Sequence, residues 1–239
     1  MPKQNRERVL IIAEALGDLC DKVVFVGGSV SEFYCGDSAS ATPRPTDDVD
    51  CVVNLSTYSS YMRFCEELLS HKFYNDTSEN APMCRFVFEG TNVVDIMPVE
   101  STGIGESNRW YKPGFAFRKA YEISAGKIIY LLPVGYYVAT KLEALFSRGG
   151  DDYRGSSDFE DIVYVINSCN NLMESVVQST DKVLLAYLSE SFSALLERGN
   201  IDEEIECALF TGDEDRREYV KSVFKNLASI SRIAQKDLP

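Results

Sequence analysis

The sequence predicts an α+β fold, a mixed sheet with flanking helices followed by a helical C-terminal module. Three observations carry that expectation. Short apolar runs of strand type alternate with helical periodicities through the first half. Turn residues fall between those runs at hairpin spacing. From Pro133 onward the apolar pattern turns helical and stays so, which sets a boundary between a module at 1–132 and one at 133–239.

Residues 5–20 read as an amphipathic helix, with Val9, Ile12, Ala13 and Leu16 on one stripe. Val23-Val24-Phe25-Val26 is a buried-strand run that ends abruptly at Gly27-Gly28-Ser29, and residues 30–34 form a short helix. Residues 36–46 are loop by composition. Asp48-Val49-Asp50-Cys51-Val52-Val53 is a strand, and Ser56 or Thr57 caps a helix running to about Leu69. Runs at 84–88 and 92–97 flank Glu89-Gly90-Thr91-Asn92 as a hairpin, and a second hairpin turns at Ala125-Gly126 between strands near 119–124 and 127–132. Pro133 suits a helix first turn, followed by Tyr137, Val138, Leu142, Leu145 and Phe146 at helical spacing up to Gly149-Gly150. Ser157 caps the next helix, with Glu160 three positions on as in a capping box. Further helices fit 181–198, 201–210 and 214–235.

Composition narrows the function classes. The chain has 239 residues, with 45% hydrophobic and 26% charged, as in an ordinary soluble globular protein. Its longest uncharged stretch, Ile128 to Thr140, is 13 residues and contains Pro133, short of the ~20 a membrane span needs. No hydrophobic core of a signal peptide follows the N-terminus, so a cytoplasmic location is expected, with no membrane partner. Seven cysteines, an odd count with no Cys-x-x-Cys, exclude that type of zinc or redox site and read as small buried hydrophobes. His71 is the single histidine, so mechanisms needing two or three imidazoles are out, and its polar surroundings predict exposure.

The net charge of −13 argues against a general nucleic-acid binder. Residues 1–100 carry −8 and residues 155–239 carry −8, whereas residues 101–154 carry +3. A basic island in an acidic chain is what a compact polyanion such as a nucleoside triphosphate needs, although a solvated surface gives the same count.

Three features carry chemistry. Asp48 and Asp50, two apart in a strand, project from one face. Two adjacent carboxylates need solvent or a bridging cation, and hard divalent ions take such oxygen ligands. Asp95 stands in the otherwise apolar Val93-Val94-Asp95-Ile96-Met97, where burial without a partner is costly. A neighbouring strand that sets it beside Asp48 and Asp50 would account for all three with one or two Mg²⁺. Gly27-Gly28-Ser29 exposes backbone amides at a helix start, which suits phosphate, though a tight turn needing positive φ explains the glycines equally.

In this order, strand, Gly-Gly-Ser, short helix, loop, strand with Asp-x-Asp and a later strand with a lone Asp, the chain resembles the DNA polymerase β-type nucleotidyltransferase superfamily. Arg44-Pro45-Thr46-Asp47-Asp48-Val49-Asp50, the run Lys141-Leu142-Glu143-Ala144-Leu145-Phe146-Ser147-Arg148-Gly149 and Ser157-Asp158-Phe159-Glu160-Asp161-Ile162 look like motifs of the abortive-infection (AbiEii-like, type IV) toxin nucleotidyltransferases. The resemblance covers roughly residues 20–165. It departs from the superfamily in the 18 residues between Ser29 and Asp48, a longer spacing than usual, which a surface loop accommodates cheaply.

The resemblance implies a nucleotidyltransferase core at 1–132 and a helical domain at 133–239 that contributes Lys and Asp motifs. It implies Mg²⁺-dependent transfer of NMP from an NTP to an acceptor hydroxyl with release of pyrophosphate. Two Mg²⁺ ions, or Mn²⁺ in their place, would sit on Asp48, Asp50 and Asp95, with Asp48 and Asp50 bridging both or carrying one nucleotide-bound ion. Asp95 would complete the second site and help deprotonate the acceptor. Ser29 and the amides after Gly27 and Gly28 would hold the β- and γ-phosphates. Lys141 would direct its ammonium at the triphosphate, oriented by Asp158 with Asp161 in reserve, and Arg148 would join the nucleotide contacts. A solvated helix face explains Lys141 and Arg148 without a ligand, and helix N-terminal stabilisation explains Asp158. The implied partners are an NTP, an acceptor that is an RNA end, a protein or a small molecule, and an antitoxin protein. Two alternatives stay open: a small-molecule or protein nucleotidyltransferase on the same site, and a catalytically silent nucleotide- or partner-binding member.

Overall fold

The computed structural model describes residues 5–35, 42–100, 108–179, 181–210 and 212–232. They form two compact units: residues 1–30 with 45–133, and residues 31–44 with 134–239. The first unit holds helices α1 (Asn5–Leu16), α2 (Tyr58–Ser70) and α3 (Tyr111–Ala116) with strands β1 (Val23–Val26), β2 (Asp48–Val53), β3 (Phe73–Asn75), β4 (Arg85–Phe88), β5 (Asn92–Pro98), β6 (Lys119–Ser124) and β7 (Lys127–Leu131). The second holds α4 (Val134–Arg148), α5 (Ser157–Ser168), α6 (Leu172–Val177), α7 (Lys182–Leu196), α8 (Ile201–Leu209) and α9 (Glu214–Ala228). The architecture is α+β, with one seven-stranded mixed sheet and a run of helices after it.

The strands lie in the order β3-β4-β5-β2-β1-β7-β6. β2 runs antiparallel to β1 and parallel to β5, so the centre of the sheet joins segments far apart in sequence. All four residues of β1 are buried, which fits a central strand covered on both faces. α2 starts where a capping box forms: Thr57 accepts from the Ser60 amide and Ser60 accepts from the Thr57 amide. Both expected hairpins are present, β4–β5 and β6–β7. In the first, Glu89 and Gly90 take left-handed φ of +50° and +74°.

Several boundaries differ from the sequence reading. α1 stops at Leu16, because Gly17 takes φ +54° and the chain tightens into a 3₁₀ segment over 17–22. Ser156, not Ser157, caps α5 by accepting from the Phe159 amide, which moves Glu160 out of the capping-box position. α9 ends at Ala228, residues 230–232 are helical again after a turn at Ser229, and residues 233–235 lie outside the described residues, as do 36–41 of the expected loop. β3, α3 and α6 were not expected; three to six residues are too few to display a period. His71 is not fully exposed: its Nδ1 lies 3.2 Å from the Ala15 carbonyl and its Nε2 3.2 Å from Asp18. Five of the seven cysteines are buried, Cys207 is exposed, and all are free thiols.

In the second unit, Phe159, Phe192 and Phe224 stack edge to face at 4.9 and 6.4 Å in the core between α5, α7 and α9. Glu204 is fully buried there, accepting from Arg198 and from the Tyr153 amide. No helix among the described residues is long and apolar enough to cross a membrane.

Candidate functional site

In the first unit the carboxylates of the sequence reading meet on one face of the sheet. Parallel pairing of β2 with β5 sets Asp50 opposite Asp95, and Asp48 lies two residues along from Asp50. Antiparallel pairing of β1 with β2 sets Asp50 opposite Val26, so the turn at Gly27 begins beside it. Gly27 has φ +74°, and a Cβ built there would overlap the Asp50 carboxylate, coming 2.7 Å from its Cγ. Glycine is therefore required both by the backbone and by the close approach of Asp50. From Gly28 the chain winds into a 3₁₀ segment over 28–34. Ser29 in that turn is 1% exposed, and its Oγ has no hydrogen-bond partner among the described residues. A buried hydroxyl in that state is a group waiting for an acceptor or a donor.

Arg85, which the sequence reading missed, completes this face. β4 pairs with β5 so that Arg85 stands opposite Asp95. Its Nε donates to Asp95 Oδ1 at 2.8 Å, and its Nη2 donates to Asp95 Oδ2 at 2.8 Å and to Asp48 Oδ2 at 3.1 Å. The hydrogen bonds Arg85 donates to Asp95, followed by the charge of Asp95 and that of Asp48, outweigh burial and raise the Arg85 pKa. The forked pair with Asp95 is the strong, geometrically specific kind. The one sequence signal for it was a charged residue at the head of the otherwise apolar Arg85-Phe86-Val87-Phe88, and register alone reveals its partner.

The expected metal ligands fit a divalent ion in part. Asp48 and Asp50 offer carboxylates on one face, and Mg²⁺ is commonly held by one or two carboxylates together with substrate phosphates. Asp95 has both oxygens engaged by Arg85. Among the described residues no group of three His, Cys, Asp or Glu stands ready to hold a metal ion.

In the second unit Lys141 is buried in the middle of α4, where a lone ammonium would be costly. Its Nζ lies 2.6 Å from Asp161 Oδ2 and 3.2 Å from Asp158 Oδ1. The nearer partner is thus Asp161, which the sequence reading held in reserve. Each carboxylate also holds an arginine in a fork: Arg44 on Asp161 at 3.1 and 3.2 Å, and Arg148 on Asp158 at 2.9 and 3.1 Å. Burial pulls the Lys141 pKa down, but Asp161 and Asp158 push it up further, so the net shift is upward and the lysine is charged. Lys141 is a fixed member of an ion network in this structure, not a mobile charge. Tyr137, one turn earlier on α4, is also buried, and its hydroxyl has no partner among the described residues. Burial first, and then Asp161, drive its pKa well above the tyrosine value.

A cavity of about 600 Å³ opens beside this network, lined by Arg44, Glu160, Asp161, Tyr164, Asn167 and Arg216 among others. Its size is that of a small-molecule site, and burial raises the Glu160 pKa against the opposing pull of Arg44.

No family model and no curated protein matches the chain by sequence. Among solved structures it is similar to an antigenic nucleotidyltransferase-like protein from Paracoccidioides brasiliensis, at 16% identity over 85% of this chain and 93% of that one, with a TM-score of 0.47.

Proposed function

We propose that the chain is a cytoplasmic nucleotidyltransferase that moves NMP from an NTP to an acceptor hydroxyl. The acceptor oxygen bonds to the α-phosphorus, the bond to the β-bridging oxygen breaks, pyrophosphate leaves and the hydroxyl proton passes to solvent. The observation that supports the reading is the in-register placement of Asp50 against Asp95, with Asp48 on the same face, beside the left-handed turn at Gly27. Phosphate recognition falls to the Gly27-Gly28-Ser29 turn, where the buried Ser29 hydroxyl has no partner among the described residues. A divalent ion brought by the nucleotide, Mg²⁺ or Mn²⁺, would be held by Asp48 and Asp50 and would offset charge on the phosphates. In the second unit Asp158 and Asp161 orient Lys141, and Arg44 and Arg148 brace those carboxylates.

The acceptor in this reading is an RNA end, a protein or a small molecule, with a toxin-like role and an antitoxin partner as part of the same proposal. The net charge of −13 favours a small contact footprint over extended binding to RNA. A second reading, a catalytically silent nucleotide binder, is favoured by one observation: Arg85 already engages two of the three carboxylates.

One assay separates these. Purified protein is incubated with Mg²⁺, each α-labelled NTP and a bacterial extract, and the products are resolved into RNA, protein and small-molecule fractions. Label is expected in one fraction, and its absence for all four nucleotides favours the silent binder. Asp48→Asn is expected to reduce transfer on the order of 10²-fold or more while leaving the unfolding temperature nearly unchanged. Undiminished turnover in that variant would remove Asp48 from the site.

A further inference from the structure

We infer that Arg85 stands where a second cation would sit, so that the aspartate face works with one nucleotide-borne divalent ion and one fixed guanidinium. The inference rests on the nucleotidyl-transfer reading and deepens it. Three carboxylates on one face repel one another and need positive charge. Two ions could supply it, but Arg85 already reaches both ends of the set: two contacts of 2.8 Å to Asp95 and one of 3.1 Å to Asp48.

Its placement comes from strand register rather than from a flexible surface reach. Arg85 pairs with Asp95 across β4 and β5, and Asp95 pairs with Asp50 across β5 and β2, so Arg85, Asp95 and Asp50 share one row of the sheet, with Asp48 two residues along β2. The Arg85 side chain is 28% exposed and that of Asp95 12%, so the pair is partly shielded and screened less than a surface pair. Two consequences follow for chemistry. Asp95, with both oxygens accepting from Arg85, offers a metal ion no oxygen that is not already hydrogen-bonded. The planar fork, permanently charged, offers the reacting phosphate a cation that needs no loading from solution.

The measurement is Mn²⁺ binding by calorimetry on nucleotide-free protein. Wild type is expected to show no tight site that depends on Asp95. Arg85→Gln frees Asp48 and Asp95 and is expected to bind Mn²⁺ at least about tenfold more tightly, the scale on which changes around a metal site are felt. Adding Asp95→Asn to Arg85→Gln should abolish that gain, and Arg85→Lys, which keeps the charge, should not produce it. A purely structural salt bridge predicts loss of stability in Arg85→Gln without any new Mn²⁺ site, and that result would overturn the inference. So would a wild type that already binds Mn²⁺ as tightly as Arg85→Gln. Should Arg85→Gln fail to fold, the single Asp95→Asn variant decides: unchanged Mn²⁺ affinity supports the inference, and weakened affinity overturns it. Binding of a fluorescent ATP analogue to wild type is measured separately. Its absence would sink the nucleotidyl-transfer reading whatever the Mn²⁺ titrations show.

Discussion

Lys141→Met is expected to destabilise the protein by about 3 kcal/mol, read as a lower denaturant midpoint at unchanged slope. Removing one partner of a buried ion pair costs roughly 3–5 kcal/mol, because the other charge is left without compensation in low dielectric. Here Asp158 and Asp161 retain Arg148 and Arg44, which places the cost at the lower end.

The same lysine makes a pH prediction. Burial lowers its pKa, the two aspartates raise it by more, and the net position is above the ordinary lysine value of 10.5. A group whose pKa is raised on folding contributes stability that is fully present below its unfolded pKa and is lost as pH rises through the folded one. The gap in stability between wild type and Lys141→Met should therefore hold through neutral pH and narrow only in the alkaline range above 10.5. A gap that narrowed between pH 6 and 8 would contradict the arrangement. Binding assays with the same variant divide function from structure: a larger loss for a triphosphate than for a monophosphate places Lys141 on the nucleotide, and equal losses make it a positioning residue only.

Gly27→Ala is expected to combine a stability loss with loss of transfer. Alanine at φ +74° costs about 1–2 kcal/mol from backbone strain alone. Its Cβ would also overlap the Asp50 carboxylate and come 2.9 Å from the Asp50 Cβ, so Asp50 must move or the turn must open. Overpacking of that kind adds about 1–3 kcal/mol. Gly90→Ala is the control, because Gly90 has the same φ of +74° with nothing within 4 Å of the added Cβ. The difference between the two variants in unfolding free energy isolates the approach of Asp50 to the turn. Equal losses, with transfer intact in Gly27→Ala, would show that Asp50 tolerates displacement.

Much of the fold was legible because local chemistry dictates it. Val23–Val26 reads as a strand from four consecutive apolar residues and is one. Ser56 or Thr57 reads as a helix start because either hydroxyl can accept from an amide of the first turn, and Thr57 is the one that does. Gly90 marks a turn because the backbone there is left-handed. The shift from Ser157 to Ser156 at the α5 cap, with two serines adjacent, shows the limit of such signals: either hydroxyl could cap, and Ser156 does. Residues 31–44 group with the second unit, where Tyr34 packs 4.5 Å from Tyr137 and Arg44 forks onto Asp161. Nothing in the composition of that stretch announces either partner.

The sequence by itself determined that Asp48 and Asp50 share a face, since side chains two apart in a strand point the same way. It also determined that a glycine turn follows β1 and that Lys141 lies on a helix. Only the tertiary structure decided that β5 lies parallel beside β2 with Asp95 level with Asp50, and that β4 delivers Arg85 to Asp95 and Asp48. Likewise, only folding revealed that Asp161 is the nearer partner of Lys141. The reason is physical: periodicity reports which way a side chain points along its own segment. Which segments become neighbours, and in what register, is settled by burial of the whole sheet and by loop closure over long stretches of chain.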